Sequence, residues 1–257
     1  MKKLLNNDGL IGKLKSNNEI EIKVSFEDEG ADFIDILQLK FLCIEANIPI
    51  TLKIAGPEAI RDIKDAKKLN IVKLVAPMIE SDFALTKYVS AVKRYMNVDD
   101  QYLGINIETI NAVEHFNEMR RNASYKKLNS ITIGRGDLVE SMRKDRYDGT
   151  VDSKEVLDIC IEIFRKVKDD GKLCMVGGSM TENSREFVEV LVEKQLLDKF
   201  ETRNIIFNTT AIGNTDFKDL INLALELEYD QMNSRREYYE SLYNQDYNRI
   251  KRLSHLF

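Results

Sequence analysis

Short apolar runs alternating with segments of helical spacing constrain this chain more than any other feature. The runs are LIGKL at 10–14, IEIKVSF at 20–26, ITLKI at 50–54, IVKLVAP at 71–77, YLGINIE at 102–108, SITIGR at 130–135, KLCMVGG at 172–178 and NIIFNTT at 204–210. Between most of them, apolar residues recur at three- and four-residue steps, as in Phe33, Ile34, Leu37 and Phe41, or Val156, Ile159, Cys160, Ile163 and Phe164. Each such segment reads as a helix burying one stripe. The runs look nearly continuous in apolar character, which suits parallel strands covered on both faces. Eight strand-helix units predict an α/β fold closed as a (β/α)8 TIM barrel. An open doubly wound sheet is the competing arrangement, but no G-x-G-x-x-G turn follows an early strand. The first run is the weakest strand, because the polar KSNN leaves no room for a helix before Glu19, and a rim segment is the other reading.

At 257 residues with three prolines and no linker-like stretch, one domain is expected, with a barrel over 1–216 and a C-terminal helical extension over 217–257. In that extension Tyr239, Tyr243, Tyr247 and Ile250, with Leu242, Leu253 and Leu256, form a stripe more apolar than a solvated terminus needs. It predicts either packing on the chain's own barrel or a helix exchanged between subunits of a homo-oligomer.

Against 43 acidic side chains there are 38 basic ones, a net charge of -5, which gives no electrostatic reason to expect nucleic acid. No segment is long and uncharged enough to suggest a membrane span, and the start lacks an export-signal core. Cys43, Cys160 and Cys174 sit in apolar stretches, so they read as reduced core thiols and a cytoplasmic location is the default.

In a barrel, chemistry sits where strands end, which singles out Glu27, Glu29, Lys53, Glu80, Glu108, Arg135, Asp137, Ser179 and Arg203. Glu108 and Asp137 suit a hard divalent cation such as Mg2+ or Mn2+, which takes one or two carboxylates and leaves positions for water and substrate. An acid at a helix start is also favoured by the macrodipole alone. Gly134 and Gly136, bracketing Arg135, allow backbone to approach a ligand, or simply make a tight turn. With His115 on a helical segment and His255 near the end, a histidine-built zinc site is not expected.

The runs APMIES at 76–81, AVKRY at 91–95, INIET at 105–109 and IGRGDLVESM at 133–142 together resemble the HpcH/HpaI aldolase and citrate lyase β-subunit superfamily. Its members show P-M-V-E, I-E-T and I-G-P-x-D-L-S-x-S-M in this order, and the likeness spans about residues 20 to 210. The resemblance implies a (β/α)8 barrel with an exchanged C-terminal helix and a Mg2+ or Mn2+ ion on Glu108 and Asp137. It also implies a pyruvate- or oxaloacetate-like 2-oxo acid, or an acyl-thioester relative, cleaved through an enolate. Departures bear on the substrate: the family's V-R is Leu52-Lys53, its E-H becomes Glu27, Asp28 and Glu29, and its G-P-x-D proline is Arg135.

The expected function is a divalent-metal-dependent carbon-carbon lyase or aldolase acting on a small anionic substrate. Lys53 would hold the oxyanion or a carboxylate, Glu27 or Glu29 would exchange protons, and Arg135, Arg203, Gly134 and Gly136 would bind substrate. Two other functions fit the same residues: a phosphoenolpyruvate-utilising enzyme, and a non-catalytic ligand-binding oligomeric barrel.

Overall fold

The computed structural model describes Leu5 and residues 9–27 and 31–254. Eight strands close into one barrel in chain order: β1 (Ile20–Ser25), β2 (Ile50–Lys53), β3 (Lys73–Ala76), β4 (Tyr102–Ile107), β5 (Ser130–Gly134), β6 (Leu173–Gly177), β7 (Lys199–Glu201) and β8 (Ile205–Asn208). The first seven run parallel, but β8 pairs antiparallel with both β7 and β1. The reason is the three-residue turn between β7 and β8, too short for a crossover helix, in which the Thr202 N–H donates to Ile205 O at 2.9 Å. The barrel therefore closes as expected, with its last strand reversed.

Two strand assignments change. Residues 10–14, expected as the first strand or a rim segment, lie in a helix, α1 (Leu10–Ser16), whose Ile11 and Leu14 are buried. The eighth strand is instead β7, the run KFE, which gives too short an apolar signal to stand out.

Helices α2 (Phe33–Ala46), α3 (Ile60–Lys68), α4 (Asp82–Tyr95), α5 (Ile110–Glu114), α6 (Phe116–Arg121), α7 (Arg135–Ser141), α8 (Lys154–Asp169), α9 (Arg185–Glu193) and α10 (Thr210–Asn214) link or flank the strands. Four of these starts are locally encoded. Asp32 and Asp35 form a capping box on α2, and Ser81, Thr109 and Ser153 accept N–H bonds at the starts of α4, α5 and α8. The last helix, α11 (Phe217–Leu253), is one continuous element of 37 residues.

The strands are not apolar on both faces. Ile20, Ile22 and Val24 of β1 join Leu52, Leu74, Leu103, Ile105, Ile131, Ile133, Val176 and Phe207 in the core between sheet and helices. The alternate positions turn inward; Val75, Met175 and Ile206 there are apolar, but many of the others are polar. Glu21 of β1 accepts from Thr51 of β2 at 3.1 Å and pairs with Lys73 of β3 at 2.8 Å and with Lys199 of β7. Side chains from four such strands can meet only inside the barrel. Burial pushes the Glu21 carboxyl up, but Lys199 and Lys73 outweigh it and hold it below the ordinary glutamate value. Where many barrels fill the interior with branched apolar layers, this one combines apolar side chains with buried ion pairs.

The cysteines are buried as expected, and burial pushes the Cys43 and Cys160 thiols up to about 12, so they are packing groups rather than nucleophiles. No helix among the described residues is long and apolar enough to cross a membrane.

Candidate active site at the barrel mouth

A cavity of about 310 Å³ opens among the strand ends, lined by side chains from β1, β2, β4, β7, the loops after β5 and β6, and α11. Glu108 follows β4 directly and is 3% exposed. Its position depends on Gly134: a Cβ there would come 2.6 Å from the Glu108 Cγ and 2.8 Å from Oε1, so the carboxylate occupies a notch that only glycine leaves. Asn106 Nδ2 donates to Glu108 Oε1 at 2.9 Å, and the Met78 N–H donates to Oε2 at 3.1 Å. Met78 takes a left-handed conformation, φ 51°, just after β3. Lys53, ending β2, places its Nζ 3.8 Å from Glu108 Oε1.

Burial raises the Glu108 carboxyl above the ordinary glutamate range; Lys53, Asn106 and the Met78 N–H work against that shift, and Asp137 adds to it. The repulsion from Asp137 reflects proximity: both acids line the one cavity. Asp137 sits in the first turn of α7, more exposed than Glu108, with its Oδ1 2.5 Å from Arg146 Nη2.

Lys53 and Glu27 are also joined, at 2.7 Å, with Glu27 exposed at the rim. Glu29, the other expected proton carrier, lies outside the described residues. Gly136 lines the cavity, and a Cβ there would meet Ser179 Oγ at 3.2 Å and Arg146 Nη1 at 3.3 Å. Arg203 lines it from the β7–β8 turn, its Nη1 3.4 Å from Glu228 of α11. Glu80 accepts from Thr109 Oγ1 at 2.5 Å and serves the start of α5. His115 bridges α5 and α6 with its Nδ1 2.8 Å from Asn111 O, away from the cavity.

Arg135 is placed differently from expectation. It is fully buried and does not line the cavity. Its guanidinium pairs with Asp152, donates to Gly177 O at 3.2 Å and Gly178 O at 3.1 Å, and lies 4.7 Å from the Phe187 ring centroid. As the first residue of α7 its side chain turns back under the loop after β6, so it braces the rim from behind instead of meeting substrate.

Sequence reading missed several side chains that the cavity gathers, among them Lys23, Asn106, Arg146 and Glu201. Asn106 was legible as the inward position before Glu108 in the alternation of YLGINI. The others required β7 and the loop after α7.

Among the described residues no three His, Cys, Asp or Glu side chains gather as a metal cluster. The donors offered at the mouth are the carboxylates of Glu108 and Asp137, together with Asn106 Oδ1, which is buried without a hydrogen-bond partner. Two carboxylates completed by waters or ligand oxygens fit Mg2+ or Mn2+ and do not fit an all-protein zinc cage. Such an ion would compete with Lys53 and Arg146 for the carboxylate oxygens.

No protein-family model matches the sequence, and no curated protein matches it. Solved structures do. The HpcH/HpaI aldolase from Desulfitobacterium hafniense aligns with a TM-score of 0.59 at 12% identity, covering 77% of this chain and 82% of that one. The citrate synthase SbnG aligns with a TM-score of 0.58 at 13% identity over 89% of this chain and 91% of that one. A HpcH/HpaI aldolase/citrate lyase family protein from Burkholderia cenocepacia gives 0.52 at 14% over 65% and 74%. At such identities the likeness is one of fold, and the barrel of this chain has the architecture of the HpcH/HpaI aldolase and citrate lyase proteins.

Proposed function

We propose that this protein is a divalent-metal-dependent carbon-carbon lyase that acts on a pyruvate- or oxaloacetate-like 2-oxo acid through an enolate. The observation that carries the reading is Glu108, buried in the notch over Gly134 with Asp137 on the same cavity wall and Lys53 3.8 Å away. The similar folds bear names of enzymes that break or make carbon-carbon bonds, an aldolase and a citrate synthase.

Glu108 and Asp137 would hold Mg2+ or Mn2+, which when bound supplies Lewis-acid stabilisation of charge on a carbonyl oxygen. Lys53, poised between Glu27 and Glu108, offers an ammonium to the substrate carboxylate or to the developing oxyanion. It is a point charge and lacks the planar fork of arginine, so it fixes orientation less strictly. Arg203 and Arg146 add positive charge at the rim, suited to a small anionic substrate.

The test is melting temperature with Mn2+ and oxalate, a rigid mimic of the enolate. At a hundred times Kd, binding only to the native state adds about 2.7 kcal/mol, a rise of roughly 5–10 °C for a chain of this size. Glu108→Gln and Asp137→Asn should each abolish the rise. A wild type without a shift, or a shift surviving both substitutions, rejects the reading.

The same proposal includes a homo-oligomer assembled through α11. From residue 236 to 254 every position of the chain is exposed, among them Tyr239, Leu242, Tyr243, Tyr247, Ile250 and Leu253. Such a stripe on a projecting helix needs cover. Sedimentation should show a species larger than the 29.7 kDa monomer, and the paired change Tyr243→Asp with Tyr247→Asp should dissociate it. A wild-type monomer at tens of micromolar sinks this part.

A further inference from the structure

The cavity contains a second lysine-glutamate pair. Lys23 of β1 places its Nζ 2.7 Å from Oε1 of Glu201, the last residue of β7, with side chains 13% and 8% exposed. Both line the cavity that holds Glu108 and Asp137. Glu201 is seated as Glu108 is: a Cβ at Gly177 would come 2.6 Å from the Glu201 Cγ and 2.9 Å from Oε1. Gly134 and Gly177 are direct register partners in the β5–β6 ladder. The two carboxylates thus lean over neighbouring glycines from opposite sides, Glu108 from β4 and Glu201 from β7. Adjacent strands lie ~4.8 Å apart, so one small molecule over this rim reaches both.

The two ends differ in chemistry. At the Glu108 end are a second carboxylate, Asp137, and the Lys53 ammonium. The Glu201 end is a donor beside an acceptor, overall neutral and largely removed from water. A hydroxyl group matches that pair, since it accepts one hydrogen bond and donates one.

We propose that Lys23 and Glu201 bind the substrate's hydroxyl and that Glu201 exchanges its proton during carbon-carbon cleavage; this rests on the lyase reading. In the cleavage direction the hydroxyl proton passes to a Glu201 oxygen while the O–H bonding pair becomes the new carbonyl π-bond. The adjacent carbon-carbon bond breaks and its electron pair enters the 2-oxo acid fragment as the enolate. Lys23 holds the oxygen as charge passes through it. Return of the proton from Glu201 to the enolate carbon gives the 2-oxo acid and restores the carboxylate. Glu27, exposed and tied to Lys53, is not needed for this step.

Two reactions of the Mn2+-supplemented full chain separate this from the broader reading. Loss of carbon dioxide from oxaloacetate gives the same enolate with no hydroxyl to deprotonate, whereas cleavage of 4-hydroxy-2-oxopentanoate requires that proton to leave. In Glu201→Gln the ratio of cleavage to decarboxylation rate should fall about 100-fold, the usual scale of a lost acid-base group. Gly177→Ala, which displaces Glu201 without removing its carboxylate, should lower the ratio in the same sense and decides the matter if Glu201→Gln does not fold. An unchanged ratio in the folded variants overturns the proposal. A wild type that decarboxylates but does not cleave overturns it while leaving the lyase reading in place, and a wild type that does neither removes both.

Discussion

Arg135→Met should lower the stability of the barrel by about 4 kcal/mol, the scale for breaking a fully buried ion pair, and its melting temperature by roughly 10 °C. The guanidinium is wholly buried, and burial pulls its pKa down while Asp152 opposes that shift. Methionine would fill much of the volume but would leave Gly177 O, Gly178 O and the Asp152 carboxylate without their donor. These acceptors belong to the turn after β6 and the segment before α8, so one residue ties three parts of the rim together. Thermal or urea denaturation measures the loss. A change under about 2 °C would mean that water replaces the guanidinium at little cost and that the brace is not structural.

Gly178→Ala should cost about 3 kcal/mol and also disable the mouth. Gly178 has φ 81°, and its added Cβ would fall 2.5 Å from Gly136 N and 2.6 Å from Arg135 N. Those atoms are backbone, so no side-chain rotation relieves the clash. Left-handed strain contributes about 1–2 kcal/mol and overpacking about 1–3. Asp137 follows the displaced segment directly, so the stabilisation by Mn2+ and oxalate should vanish as well. Gly149→Ala is the control: its φ is 88°, but nothing lies within 4 Å of the added atom. It should lose only the strain. Equal losses at the two glycines would refute the close-packing account.

The strands that the sequence announced were those with four or more residues and a helix after them. β7 escaped because KFE is three residues long and no helix separates it from β8. That omission also hid Glu201, which has meaning only as a strand end. The reversed direction of β8 is set by a turn of three residues, Thr202 to Asn204, and hydrophobic periodicity carries no sign for direction. IEIKVS looks nearly continuous in apolar character, yet its Glu21 and Lys23 point inward to partners on β3 and β7 that no local pattern identifies.

Glu108 and Asp137 were legible because each follows an apolar run at a helix start. Arg135, between two glycines, has the sequence context of a ligand contact, but which way a first-turn side chain points depends on the tertiary surroundings. Here Phe187 and Asp152 on the far side claimed it. Arg146 lies in an irregular stretch after α7, where spacing predicts nothing.

The terminal helix joins two places that other barrel elements keep apart. Ile221, Ala224, Leu225 and Glu228 of α11 form one side of the cavity, and the same helix runs on through the exposed positions beyond 235. Its sequence between Phe217 and Leu253 contains neither glycine nor proline, the usual causes of a kink. About 27 Å of helix, 18 residues at 1.5 Å each, therefore extends from the pocket wall as a lever. A neighbour gripping its far end would hold the same continuous element whose buried start walls the pocket.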